Sequence, residues 1–178
     1  MNIRLGAETN DLSKKSTMLM NAASPLKDLN KFHFSQMLLD HDGLMTPVLI
    51  AQFGTLTVQQ NEFHHGADRF LRKSSIYQAT SGLKILDAAL DISLPSLPRG
   101  FLGQLLHEEK LFGQLLKDHF IPIRIAERTL HLSSGEDDQG ARWGRRLTMY
   151  RDDTQEFVCH VQELMMPDHQ LLPLRIVL

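Results

Sequence analysis

Apolar and polar positions along this chain follow two different rhythms. Leu29, Phe32, Phe34, Met37 and Leu38 fall at helical spacing, and Asp42-Gly43 breaks the run. Thr46-Pro47 reads as a helix start, since threonine caps and proline tolerates the first turn, and Val48 to Phe53 continues to a stop at Gly54. A period of two then takes over. Thr55 to Gln60, Phe70 to Gln78 and Leu83 to Ile92 carry the alternation and β-branched content of strands, with Ser81-Gly82 as the turn between the last two. Pro95 and Pro98 end this block. Phe101 to His119 returns to helical spacing through Leu102, Leu105, Leu106, Leu111, Leu115 and Leu116. Within it Gly103-Gln104-Leu105-Leu106 recurs as Gly113-Gln114-Leu115-Leu116, which predicts two short helices joined near His107 to Lys110 rather than a solenoid. Leu130 to Leu132 reads as a short strand and Ser133 to Gly140 as a polar loop. Arg145 to Tyr150 and Glu156 to Met165 form a closing hairpin, turned at Arg151-Asp152-Asp153. The sum is an α+β fold, a single antiparallel β-sheet with helical hairpins. Residues 1–27, rich in Asn, Ser, Thr and Lys, read as an N-terminal arm, and residues 28–178 as one domain.

Composition narrows the class. A hydrophobic fraction of 42% with 22% charged residues is that of an ordinary soluble domain. The formal net charge of −2 argues against nucleic acid as a partner, which needs a basic surface to displace counterions from phosphates. Cys159 is the only cysteine, so the chain has no internal disulfide and no multi-cysteine metal site, in keeping with a reducing compartment. No apolar run approaches the roughly 20 residues that span a bilayer, and the N-terminus lacks the order of a signal peptide. The expectation is a cytoplasmic monomer with no membrane span.

Two charged residues stand where a strand reading makes charge costly. Arg72 shares a strand face with Phe70 and Ser74, because strand side chains alternate. On an inner face its guanidinium needs an anion, and its planar fork suits a carboxylate; on an outer face it is an exposed strand arginine. Glu163 falls on one face with Cys159, Val161 and Met165. A carboxylate among such neighbours is either placed for acid or base work near neutral pH or is the buried structural partner of an arginine. The histidines show no ligand spacing: His64 and His65 are adjacent, no HExxH pattern occurs, and His107, His119, His131, His160 and His169 are scattered. No metal or cofactor is expected. Cys159, Met165 and Met166 read as core filling, and neither a glycine-rich phosphate loop nor a nucleophile elbow is present.

Taken in order, several segments resemble the bacterial chorismate lyase family, also called 4-hydroxybenzoate synthetase or chorismate pyruvate-lyase. Trp143-Gly144-Arg145-Arg146 looks like its W-G-R-R, and Glu163-Leu164-Met165-Met166-Pro167 like its E-L-F-L-P on the returning strand. Phe70-Leu71-Arg72 falls at its aromatic-leucine-arginine strand, Phe101-Leu102-Gly103 at its P-L-G, and Met45-Thr46 at its M-T after an acidic turn. Order and spacing agree from about Leu38 to Pro167. The resemblance implies a sheet with helical flaps over an enclosed site, and cleavage of chorismate to 4-hydroxybenzoate and pyruvate without cofactor or metal, toward the ubiquinone head group. It further implies that Arg72 grips a substrate carboxylate, that Glu163 acts at the ring-hydroxyl end, and that Met45 and Leu102 line the pocket. The chain departs from the family where a second arginine is expected in a G-R-T segment: it reads Ala88-Ala89-Leu90, with Ala89 at the arginine position. Loss of that charge weakens binding of a dianion by about 1.5–3 kcal/mol. The final hairpin is also longer at Asp152 to Gln155 and lacks the tight Ser-Gly turn. Two further readings stand beside the lyase: an effector-sensing, non-catalytic domain of the same broad fold that binds a small aromatic acid, as found attached to bacterial transcription regulators, and a lyase relative acting on a different chorismate-like acid.

Overall fold

The computed structural model describes residues 33–106, 110–134 and 141–174. The expected N-terminal arm, the start of the helix read from Leu29, the joint at 107–109 and most of the loop at 133–140 lie outside the described residues. The first helix, α1, is Phe34–Leu39. Its start depends on a distant residue: the Phe34 and Ser35 backbone N–H groups each donate to the Asp168 carboxylate at 2.9 Å, satisfying donors that a helix start leaves open. The second helix, α2, is Met45–Phe53 and ends at Gly54, whose φ of 75° suits a residue without a side chain. Leu44, rather than Thr46, occupies the cap position, and no side chain caps the helix. Thr46 is buried inside the first turn, where Pro47 also sits without losing a hydrogen bond.

Six strands follow the alternating segments: β1 (Leu56–His65), β2 (Arg69–Gln78), β3 (Lys84–Ser93), β4 (Ile123–Ser133), β5 (Arg142–Arg151) and β6 (Phe157–Met165). Between β3 and β4 lie α3 (Phe101–Leu105) and α4 (Phe112–Asp118), the expected pair of short helices; α5 (Asp168–Leu171) and a 3-10 turn at Leu172–Leu174 follow β6. All strand pairs are antiparallel, in the order β1-β2-β3-β6-β5-β4. The protein therefore has the α+β class and the single antiparallel sheet that the sequence predicts. Two three-stranded meanders meet at the β3–β6 pair, with β1 and β4 as the outer edges.

Both edge strands are longer than the sequence pattern suggests, and both contain an irregularity, between Gln60 and Glu62 in β1 and between Ala126 and Thr129 in β4. The extra residues of a bulge put alternation out of phase, so a reading by parity stops there. In β4 the bulge holds Glu127 at a φ of 56°, a left-handed conformation that side chains disfavour.

Register sorts the side chains into rows that cross the sheet. On the face covered by the helices, Phe70, Ile92, Cys159 and Met149 form one row and Ile76, Leu86 and Met165 another. These rows anchor two apolar clusters, one built with Phe101, Leu105, Phe112 and Leu115, the other with Phe34, Leu38, Met45, Leu49 and Phe53. Between them runs a row that is not apolar: Gln60, Ser74, Ala88, Glu163 and Arg145. Arg72 stands in the adjacent row, opposite Leu90.

Gly144 holds β5 against both neighbours. A Cβ there would lie 2.7 Å from His131 Nε2 and 2.8 Å from the Glu163 carbonyl oxygen, and a backbone carbonyl in a sheet cannot yield cheaply. Gly144→Ala is therefore expected to cost about 1–3 kcal/mol, as overpacking does; a denaturant midpoint equal to that of the parent protein would refute the close approach.

Candidate functional site

The polar row lies at the seam between the two apolar clusters. Arg145 is wholly buried, because it shares the inward parity of Leu147 and Met149 on β5. Its Nε donates to Glu163 Oε2, its direct partner in register on β6. The remaining guanidinium donors reach the turn between α1 and α2, with Nη1 on the His41 carbonyl at 3.1 Å and Nη2 on the Gly43 carbonyl at 3.3 Å. Arg128, swung inward by the β4 bulge, holds the same turn from outside through Asp40 at 2.6 Å and Asp42 at 2.9 Å. The segment that leads into α2 is thus fixed by two arginines from the β4–β5 hairpin.

A small cavity of about 50 Å³ lies between the sheet and helices α2 and α4. Met45, Arg72 and Glu163 are all in its wall, together with Ser74, Ala88 and Phe112. Three of the four site residues read from the sequence therefore come to one place from α2, β2 and β6. The fourth, Leu102, does not line it: it sits partly buried on α3, packed against the larger cluster. Arg72 is 2% exposed, and its Nη1 donates to the Lys110 carbonyl at 3.2 Å. Glu163 shares the cavity with Arg72, but its ion partner is Arg145.

The supposed arginine position is corrected by the register. Ala89 pairs with Lys73 and Gln162 on the opposite face of the sheet, so a side chain at 89 has no access to Arg72. Ala88 and Leu90 are the β3 positions that face the cavity. The buried guanidinium nearest to Glu163 is that of Arg145 on β5, which is not in the cavity wall and is engaged by Glu163 and by the carbonyls of His41 and Gly43. The sequence motif around Trp143 to Arg146 contained this residue, and the parity of Leu147 and Met149 was the signal that turns it inward.

His41 is the titrating member of this region. Burial, and then the neighbouring Arg145 charge, hold its imidazole down at about 4 from the usual 6.5. Nδ1 accepts the Gly43 N–H at 3.0 Å, so the neutral ring carries its proton on Nε2, and a second proton would break that hydrogen bond and place a cation 3.2 Å from Arg145 Nη1. The unfolded chain takes up this proton below about pH 6.5, while the folded chain refuses it until about pH 4. Stability is unaffected above pH 6.5 and falls as pH drops through that window. Because the ring is only partly buried, the loss is expected at no more than about 1–2 kcal/mol. His41→Gln should shrink the difference in melting temperature between pH 7.5 and pH 5; an unchanged difference would remove His41 as its source. Cys159 is inert by comparison, since full burial pushes its thiol far up. Among the described residues no three His, Cys, Asp or Glu are placed to hold a metal ion, and no helix is long and apolar enough to cross a membrane.

No protein-family model matches the sequence, and no curated protein matches it. Solved structures do. The chain is similar to PhnF from Mycobacterium smegmatis, with a TM-score of 0.56 at 10% identity over 74% of this chain and 66% of that one. It is similar to the effector domain of PhnF from the same organism, at 0.51 and 9% identity over 63% and 81% of the two chains. A Staphylococcus aureus gene product gives 0.52 at 8% identity, over 71% and 89%. The chain spans just under two thirds of the full PhnF chain. At such identities the likeness is one of fold alone: one antiparallel six-stranded sheet carrying a few helices.

Proposed function

We propose that this domain binds a small aromatic carboxylate in the cavity between the sheet and α2 and α4, and that it senses the ligand without turning it over. The observation that carries this reading is the engagement of Glu163. Its carboxylate is bound by a wholly buried arginine, its direct partner in register, and so is committed to a structural ion pair that ties β6 to β5. Arg72 supplies the group that a ligand carboxylate would meet, while Met45, Phe112 and Ile76 offer an apolar wall for a ring. The effector-domain fold supports the same reading. The cavity is well below the roughly 300–1,000 Å³ of ordinary ligand sites, so occupancy requires α2 and α4 to ride outward. That movement is what a sensor would transmit.

A second reading is a cofactor-independent lyase for chorismate or a related acid, favoured by the convergence of Arg72, Glu163 and Met45 on one cavity. In that reaction the ring bond to the enolpyruvyl oxygen breaks, enolpyruvate leaves with the oxygen, and the adjacent ring hydrogen departs as a proton that ends on the enolpyruvate methylene carbon, giving pyruvate. Aromatisation drives the step, so the protein needs mainly to position the substrate and manage that proton. The two readings separate on incubation with chorismate. Formation of 4-hydroxybenzoate by absorbance, abolished in a folded Arg72→Ala variant, would establish the lyase; absence of product with binding of 4-hydroxybenzoate is the expected result.

A further inference from the structure

The face of the sheet opposite the helices carries a trough of about 630 Å³, within the range of ordinary ligand sites. Alternation places Lys73, Ala89, Gln162 and Arg146 in one row across its floor, and Asp91, His160 and Thr148 in the next. Most of the charges there are already paired, Lys73 with Glu62 and Asp91 with Arg69. Arg146 is exposed and has no ion pair among the described residues.

A polar relay crosses this floor. The buried Thr148 hydroxyl donates to Glu127 Oε2 at 2.9 Å and lies 3.1 Å from His160 Nδ1. A hydroxyl has one proton, and here it is directed at the carboxylate, so the threonine oxygen accepts from Nδ1–H. That fixes the tautomer and leaves His160 Nε2 as an acceptor. The ring is further held against Phe157, with centroids 4.6 Å apart. Glu127 reaches Thr148 because of the bulge that gives it a positive φ, a conformation sustained against its own preference. No part of the inner cavity uses these residues.

We propose that the trough, which lies on the other face of the sheet although Arg72, Leu90 and Val161 belong to the walls of both, is a second ligand site for a small hydroxylated anion, either carboxylate or phosphate. Arg146 pairs with the anionic group, and His160 Nε2 accepts the hydroxyl. The two residues are diagonal neighbours on β5 and β6, roughly 7–8 Å apart at the backbone, a span that a three-carbon hydroxy acid bridges with these side chains. Thr148 is a positioning residue, acting through His160.

The test is a titration of the full ¹⁵N-labelled chain with glycerate, glycerol 3-phosphate and neutral glycerol, following the imidazole nitrogens of His160 and the Nε signals of Arg146 and Arg72. At least one anion is expected to shift His160 and Arg146 saturably while Arg72 stays unmoved, and glycerol is expected to shift neither. Which anion acts decides between carboxylate and phosphate. Thr148→Val, which keeps the shape and removes the hydroxyl, should weaken the binding at least tenfold and release His160 from the Nδ1–H tautomer. Saturable shifts that survive Arg146→Ala, shifts that glycerol reproduces, shifts shared by Arg72, or no shift with either anion would each overturn the proposal.

Discussion

Arg145→Met is expected to lower the unfolding free energy by about 3–5 kcal/mol, the cost of leaving the other member of a buried ion pair uncompensated. Spread over a domain of this size, that is a fall in melting temperature of roughly 6–20 °C. The magnitude follows from what the guanidinium serves. It neutralises Glu163 beneath the α2 flap, and it satisfies the carbonyls of His41 and Gly43 in the turn that leads to α2. Glu163→Leu in the same chain removes the orphaned charge and should recover much of the loss, since buried pairs replaced by apolar residues are often neutral or better. Recovery should be incomplete, because two carbonyls still lack their donor, at about 1 kcal/mol each. Thermal unfolding of the two single variants and the double variant gives the coupling directly. Additive losses would show that Arg145 and Glu163 do not act as a pair.

Arg72→Met is expected to weaken binding of an aromatic carboxylate by about 10–150-fold, corresponding to the roughly 1.5–3 kcal/mol of a hydrogen bond to a charged group. Methionine retains the length of the buried stem and removes the charge. Arg72→Lys retains charge and loses the planar fork, so it should fall between the two. The comparison separates binding from folding: the ligand-dependent rise in melting temperature should vanish in Arg72→Met while the ligand-free transition stays cooperative. Equal ligand-induced rises in the parent and in Arg72→Met would exclude Arg72 from the site.

What could be read from the sequence was whatever depends on local parity. Glu163 with Val161 and Met165, and Arg72 with Phe70 and Ser74, face inward as alternation requires, and the echo of Gly-Gln-Leu-Leu gave the two short helices α3 and α4. Parity also placed Ala89 outward, since Leu90 and Ile92 are inside, and a family pattern aligned across that strand pointed to the wrong face. Other features depend on register or on distant partners. That Glu163 meets Arg145 follows from β6 lying beside β5, which brings the two into register. Asp168 caps α1 across 134 residues, and no local signal announces it. The full length of β4 was hidden by its bulge, where Arg128 turns inward to Asp40 and Asp42 while Glu127 turns outward to Thr148. Local chemistry set the elements; strand order decided which charges met.

Whether the inner cavity holds an aromatic carboxylate on Arg72 without turning it over is decided by calorimetric titration of 4-hydroxybenzoate into the parent protein and Arg72→Met, with chorismate incubated in parallel. Saturable one-to-one binding is expected in the parent protein, with at least tenfold weaker binding in Arg72→Met and chorismate left intact. Binding of equal strength in both proteins, no saturable binding in the parent protein, or steady conversion of chorismate to 4-hydroxybenzoate would contradict it.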